Sequence, residues 1–328
     1  MNRKVTGLIL GAACAATMLT APPAEAKSTL KMATLAPKHS PWGKVFTAWT
    51  KAVKKKSNGS LKIQWLWNGT AGPESGAVGK VKSGQLAGAA LTAIGMSKVY
   101  KPVLGLQMPG VFNSWAELDK ARDSMKGDLE KGIREGGFEI LGWGDTGVGH
   151  VMSRGFAVVH PSDLKGKTPA QSRDDIITPK LYAAIGGVTP KVGTMGEILP
   201  NLQNGQVNVI MSSALAAEQL QWASRLTHIN DAGIAYGVGA LMISQRSLNA
   251  LEADERALMI SSGGKAAKVL NGLIRKADGQ SYKRLTGRLK VHKQTAAEKA
   301  EWKVVFKKAC QRVKTSIPGN ILSRIGAC

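Results

Sequence analysis

The sequence predicts an α/β protein of two similar lobes facing a shared cleft, on three observations. Between Leu30 and Ala93, strand-like alternation and helix-like spacing succeed one another as β-α-β-α-β, the order that builds a parallel sheet. A short unit then recurs. Val81-Lys82-Ser83-Gly84-Gln85-Leu86 resembles Leu202-Gln203-Asn204-Gly205-Gln206-Val207, and Ala89 to Thr92 mirrors Val209 to Ser212. Two glycine-bearing passages, Gly144 to His150 and Asn230 to Gly239, fall where the chain can cross between lobes and return. In open α/β sheets, ligands gather beyond the carboxyl ends of strands, so a doubled helix–strand unit implies two strand tips aimed at one space.

The elements follow in order. Arg3 and Lys4 precede an apolar run from Val5 to Thr20, and Ala24-Glu25-Ala26 supplies a small-x-small cleavage pattern. Residues 1–26 therefore read as a secretory signal peptide cut after Ala26. Cys14 has Gly11, not Leu, three places before it, so a lipoprotein anchor does not fit. Leu30 to Leu35 reads as the first strand. Ser40 caps the next helix with Pro41 in its first turn, and Trp42, Val45, Phe46, Trp49, Ala52 and Val53 form its apolar stripe. Asn58-Gly59 turns the chain into strand Leu61 to Trp67; helix Glu74 to Ser83 and strand Gly88 to Ala93 complete the run. Trp115, Leu118, Ala121, Met125, Leu129 and Ile133 mark a long amphipathic helix that leads to strand Phe138 to Trp143.

In the second lobe, Pro161 to Leu164 starts a short turn or helix, followed by helix Ile176 to Ile185 and strand Pro190 to Gly193. Met195, Ile198, Leu199 and Leu202 are spaced as a helix, Gly205 stops it, and Val207, Val209 and Met211 alternate as a strand. The helix after that strand carries Gln219 and Trp222. Strand Ala240 to Ser244 returns the chain to lobe I. The remainder reads as helices, of which Glu252 to Tyr282 is long enough to brace both lobes. The expected division is lobe I over 27–147 and 234–260, lobe II over 148–233, and C-terminal helices over 261–328.

Composition narrows the function. In 328 residues, 43% are hydrophobic, enough for a globular core and too many for a disordered chain. The net charge is +23, and from Lys265 onward sixteen Lys and Arg face three acids. That field attracts polyanions, yet it comes without aromatic interleaving or any nucleic-acid motif, and it reads first as a solvated basic face. No GxSxG, HExxH or paired CxxC occurs, so neither an enzyme nor a metal or cofactor site is expected. Gly76 to Lys80 fails as a phosphate loop, because Glu74 stands where its first glycine belongs and Val81 replaces the Ser or Thr. Asp174-Asp175 is either a carboxylate pair for acid–base work or a metal, or a solvated turn at a helix start, and the last reading is preferred. Cys310 and Cys328 either close a loop near the C-terminus or stay as free or intermolecular thiols. Trp42, Trp67 and Trp222 lie near strand ends and suggest a ligand slot with aromatic walls, with Thr92, Ser212 and Ser213 at the strand tips themselves.

Several motifs stand in a familiar order. They are Ala36-Pro37 with Ser40-Pro41-Trp42-Gly43, Asn68-Gly69 with Gly72 and Glu74, Val81 to Leu86, Pro109 to Phe112, Phe138 to Trp143, Pro161 to Gly166, and Leu202 to Val207. In that order and spacing the chain resembles the extracytoplasmic solute receptors of TRAP (tripartite ATP-independent periplasmic) transporters, in their C4-dicarboxylate-binding class. The resemblance implies a two-lobed periplasmic-binding-protein fold with crossing strands and a long helix spanning both lobes. It also implies closure around one small molecule, followed by docking on a membrane permease driven by an ion gradient. Many members carry an arginine four residues after the glycine of Asp-Leu-Lys-Gly, where it clamps a substrate carboxylate. Here Gly166 is followed by Lys167, Thr168, Pro169 and Ala170, so that clamp is missing. Arg173 and Arg154 are the candidate substitutes. If neither reaches the cleft, the Trp residues with Thr92, Met96, Ser212 and Ser213 suit a less charged guest. The expected protein is a periplasmic monomer that binds a small molecule and not nucleic acid. The alternative is a basic periplasmic scaffold or lipid-associating protein.

Overall fold

The computed structural model describes residues 28–328, and the leader expected over 1–26 lies outside the described residues. β1 (Ser28–Thr34) leads into α1 (Pro41–Lys56), whose first turn is closed by Ser40 Oγ accepting from Gly43 N. The α1 stripe buries Val45, Phe46, Trp49 and Val53. Ala52 instead faces solvent, because it lies at the edge of the stripe where a methyl group is too short to reach the sheet. Asn58 and Gly59 turn the chain with positive φ into β2 (Leu61–Leu66). α2 (Glu74–Ser83) ends at a left-handed Gly84, and β3 (Gly88–Thr92) follows. Both β2 and β3 run parallel to β1, as the β-α-β-α-β order requires. The helical turn α3 (Ala93–Met96) and the long α4 (Trp115–Glu135) complete this side.

β4 (Phe138–Ser153) does not stop at Trp143. It runs on as one strand through the glycine passage into the second lobe. There the chain forms β5 (Ala170–Ser172), α5 (Thr178–Ile185), β6 (Lys191–Gly193), α6 (Ile198–Gln203), β7 (Val209–Ser213), α7 (Ala214–Gln219) and β8 (His228–Asn230). Trp222 is not on the helix that carries Gln219. Gln221 is left-handed (φ 63°) and breaks the chain, so Trp222 opens a separate 3₁₀ turn. The return crossing is likewise a strand, β9 (Ala235–Ser244), longer than the Ala240 to Ser244 expected. After α8 (Gln245–Asn249) comes α9 (Ala253–Thr286), followed by β10 (Lys290–His292), α10 (Ala296–Val313) and α11 (Ile321–Arg324). β10 stands where only helices were expected. Three residues are too few to show a period, and pairing with β8 creates the strand.

One sheet joins the lobes in the order β10-β8-β4-β9-β3-β1-β2, with β7 also paired to β4, while β5 and β6 form a separate pair. Its centre is the antiparallel ribbon of β4 and β9, from Phe138↔Ser244 to Gly149↔Ala235. The register shifts twice, at Ile140/Gly142 and Asp145/Gly147, which bends the ribbon between the lobes. α9, about 50 Å long at helical rise, lies across it. Trp49 Nε1 of α1 donates to Ser262 Oγ at 2.9 Å near one end, and Ser281 Oγ donates to Glu218 of α7 at 2.6 Å near the other. Gly142 lets α9 close in, since a Cβ there would meet the Ala267 methyl at 2.5 Å.

Asp278 of α9 fixes the ribbon to the second lobe. Its Oδ1 accepts from Leu215 N at 2.9 Å and its Oδ2 from Val148 N at 2.8 Å. Gly147 (φ +109°) makes room, since a Cβ there would lie 2.8 Å from the Asp278 carboxyl carbon. The C-terminal chain touches both lobes. Trp302 and Phe306 of α10 pack with Leu181 and Tyr182 of α5, whereas Cys310, Val313, Ile317 and Ile321 join the core around Phe138 and Met125. Cys310 and Cys328 are joined by a disulfide, with Cα atoms 5.6 Å apart, so the loop-closing reading holds and the free-thiol reading falls.

Two outcomes follow from this geometry. Asp278→Ala strands one buried N–H, of Leu215, and one part-buried N–H, of Val148, and is expected to lower unfolding stability by about 2–4 kcal/mol in urea titration. His150, stacked on Tyr282 with Nδ1 3.2 Å from Asn230 O, is pushed by burial below its ordinary 6.5. The unfolded chain therefore takes up this proton first, and stability is expected to fall as pH drops below 6.5. In His150→Phe that slope should be shallower.

Candidate functional site

The tips of three strands converge on one cavity of about 390 Å³ between the lobes. Thr34 ends β1, Thr92 ends β3, and Ser212 and Ser213 end β7; all four line the space. The repeated unit explains the meeting. In each copy a helix is stopped by a left-handed glycine, Gly84 (φ 83°) or Gly205 (φ 78°), and the next strand then runs toward the cleft. Asp145, Thr146 and Gly147 of β4 with Gly237 and Gly239 of β9 supply the floor. The walls are mostly apolar, with Trp42 and Phe46 on one side and Met195, Ile198, Met211 and Trp222 on the other.

The sequence-predicted residues divide. Trp42, Trp222, Thr92, Ser212, Ser213 and Arg173 all line the cavity. Trp42 is held there by its Nε1, which donates to Asp145 O at 3.2 Å. Ser213 also serves the scaffold, since its Oγ accepts from Ala216 N and caps α7. Arg173 sits at an exposed rim, tied by its backbone N to Gly193 O; beside it, Glu197 is held below its ordinary pKa chiefly by hydrogen bonds from Thr194 N and Oγ1, with Arg173 adding a smaller pull.

Three expectations fail on geometry. Trp67 stands behind the wall, its ring 6.5 Å from Phe46 and 5.5 Å from Trp65, so Phe46 takes the lining position. Met96 lies one helical turn beyond Thr92, and α3 rotates it fully into the lobe I core. Arg154 is exposed outside the cleft, where its Nη1 donates to the carbonyls of Leu202 and Gln203 at the end of α6.

Charged groups absent from those expectations shape the site. Glu74, on the first turn of α2, is buried at the wall; its Oε1 accepts from Thr92 N and its Oε2 from Thr92 Oγ, each at 2.6 Å. Burial pushes its carboxyl above the usual range. An acid at a helix start directly before a strand that ends in threonine was a legible signal for this pair. Beneath the floor, Asp145 is buried and receives Arg122 Nη1 at 2.9 Å and Arg275 Nε at 2.7 Å. Both arginines continue to Asp119, which the Arg275 guanidinium holds below its ordinary pKa. The cluster is closed on itself.

A model of the bacterial extracellular solute-binding proteins, family 7, matches residues 32–316. The chain belongs to this family. It is 23% identical over 265 residues to a solute-binding protein of Verminephrobacter eiseniae, covering 78% of this chain and 76% of that one. Its fold is similar to the TRAP periplasmic solute-binding protein of Ralstonia eutropha H16, solved with bound (S)-2-acetolactate: TM-score 0.84, 19% identity, 91% of this chain and 98% of that one. The counterpart from Sulfurospirillum deleyianum, solved with bound succinate, gives TM-score 0.84 at 18% identity, with 92% and 99% covered.

In this family 7 protein the cleft is bridged at its mouth by Asp174. Its Oδ2 accepts from Ser75 N, in the first turn of α2 on the opposite lobe, at 3.0 Å. Lys98 Nζ donates to Asp174 O at 2.8 Å and lies 3.7 Å from Oδ1. Asp174 thus caps a helix across the cleft, where an anion is favoured. Asp175 caps its own segment, accepting from Ile177 N at 2.7 Å and Thr178 Oγ1 at 2.7 Å. The pair is a helix-start device, but Asp174 is buried rather than solvated because the other lobe covers it. Asp174→Ala should open the receptor in solution, raising its radius of gyration in X-ray scattering. Guest release should quicken by about tenfold, the worth of one charged hydrogen bond.

Proposed function

We propose that this solute-binding protein captures one small molecule between its lobes and delivers it to the membrane permease of a TRAP transporter. One observation carries the reading: β3 of one lobe and β7 of the other present Thr92 and Ser212 to the same cavity. The TRAP proteins of similar fold were solved with small molecules bound. Lobe I is taken as 27–147 with 234–260 and lobe II as 148–233, with the helices from 261 onward bracing them. Export would place the receptor in the periplasm, as a monomer, after cleavage behind Ala26. Trp42, Thr92, Arg173, Ser212, Ser213 and Trp222 are the proposed contacts, joined by Phe46 and Glu74. Thr92 Oγ1 donates its hydrogen bond to Glu74 Oε2 and so offers a guest its lone pairs, leaving Ser212 on the facing strand as a donor.

The scaffold alternative rests on the basic C-terminal surface alone and leaves the cavity without a purpose. Intrinsic tryptophan fluorescence separates the two readings. A saturable change on addition of a guest is expected, lost when Ser212→Arg fills the cleft. In Trp42→Ala, affinity should fall by about 2 kcal/mol or more, as for other buried aromatic anchors. Vesicle binding that survives Ser212→Arg, with no saturable change for any guest, would favour the scaffold instead.

A further inference from the structure

The cleft's charges are arranged against an acidic guest. Among the described residues, Arg173 is the one Lys or Arg that lines the cavity, and it stands at the exposed rim beside Glu197. Ala170 lines the wall where an arginine clamp would project. Arg122 and Arg275 approach from beneath the floor, but their guanidinium groups are committed to Asp119 and Asp145. The remaining charged lining residues are acids: Glu74, Asp145, Asp174 and Asp175. An ionised carboxylate placed here would lose its hydration beside apolar walls and a buried Glu74, while the one lining cation, Arg173, stands at the exposed rim where water screens it. A protonated amine fares little better. Both oxygens of Glu74 are held by Thr92, those of Asp175 by Ile177 N and Thr178 Oγ1, those of Asp145 by the two arginines, and Asp174 by Ser75 N and the nearby Lys98 ammonium.

What the walls do offer is contact area and few polar groups. Trp42, Phe46, Ile94, Met195, Ile198 and Met211 present aromatic and flexible apolar surface. Thr92 and Ser212, each with a hydroxyl group, line the space from opposite lobes. A volume of about 390 Å³ is in the range of pockets that hold compact organic molecules. We propose that the cleft selects an uncharged, largely apolar small molecule bearing a hydroxyl or amide group, in contrast to the succinate and (S)-2-acetolactate held by the two solved relatives. The proposal rests on the receptor reading and specifies its guest.

The test is a set of matched probes at high salt, which suppresses adsorption of anions to the basic surface. Phenylbutyrate, phenylbutanol and phenylbutylamine form one series; octanoate, octanol and octylamine form another. Affinities come from calorimetry and tryptophan fluorescence on the full mature chain. The alcohols are expected to bind at least about tenfold tighter than the acid or the amine of the same skeleton. Ala170→Arg, which introduces a cation at the wall, should shift the order toward the acid; the wild-type comparison stands alone if that variant does not fold. An acid that binds as tightly as its alcohol overturns the proposal, and loss of that binding in Arg173→Ala would show the rim arginine turning inward as the clamp. A tighter amine overturns it as well, by making the cleft's acids the selective element. Neither result touches the receptor reading. Saturable binding by no member of either series, to a protein that melts cooperatively, would remove this guest class and leave the receptor reading standing on its own fluorescence test.

Discussion

The ribbon formed by β4 and β9 carries the rest of the molecule, because it belongs to both lobes at once and forms the floor between them. Each strand crosses without a break, so the lobes are linked by a hydrogen-bonded ladder with two register shifts rather than by loose linkers. A ladder resists sliding but tolerates twist and bend, which concentrates any relative motion at the shifts. α9 bounds that motion. It packs against α1 near one end and α7 near the other, and Asp278 bonds the crossing strand and the first turn of α7 with the two oxygens of one carboxylate.

The site's electrostatics follow from the same floor. Asp145 lies in the crossing strand, and two arginines neutralise it from the side away from the cavity. The strongest charges in this region therefore compensate one another instead of serving a guest. Above the floor, Glu74 and Thr92 satisfy each other, and Asp174 is spent on the opposite helix. The cavity is left with apolar walls and a few hydroxyl groups. Discrimination in such a site comes mainly from shape and from the cost of stripping water from the wrong charge.

Much of the scaffold was legible along the chain. The Ser40 cap, the Asn58-Gly59 turn, helix Glu74 to Ser83 and the duplicated Gly-Gln unit are local signals, written within a few residues of where they act. The crossing strands, by contrast, read as irregular passages along the chain. Their glycines answer to neighbours far away in sequence: Gly142 to α9, and Gly147 to Ser213 and Asp278. The site residues divide in the same way. Thr92, Ser212 and Trp42 sit at element ends whose position the local pattern specifies. Met96 and Trp67 lie within a few residues of such ends, yet helix phase and packing on Phe46 turn them away.

The sequence by itself determined the fold class, the two strand tips that meet and the absence of an arginine at residue 170, because each is a matter of residue type and spacing along one segment. Only the tertiary structure decided which cations are already committed, which aromatic rings form the wall, and that Asp174 reaches across to Ser75 and Lys98. Those facts depend on groups dozens to well over a hundred residues apart being brought within hydrogen-bonding distance. Local periodicity has no means of encoding a contact of that kind. Packing of the two lobes on one ribbon does.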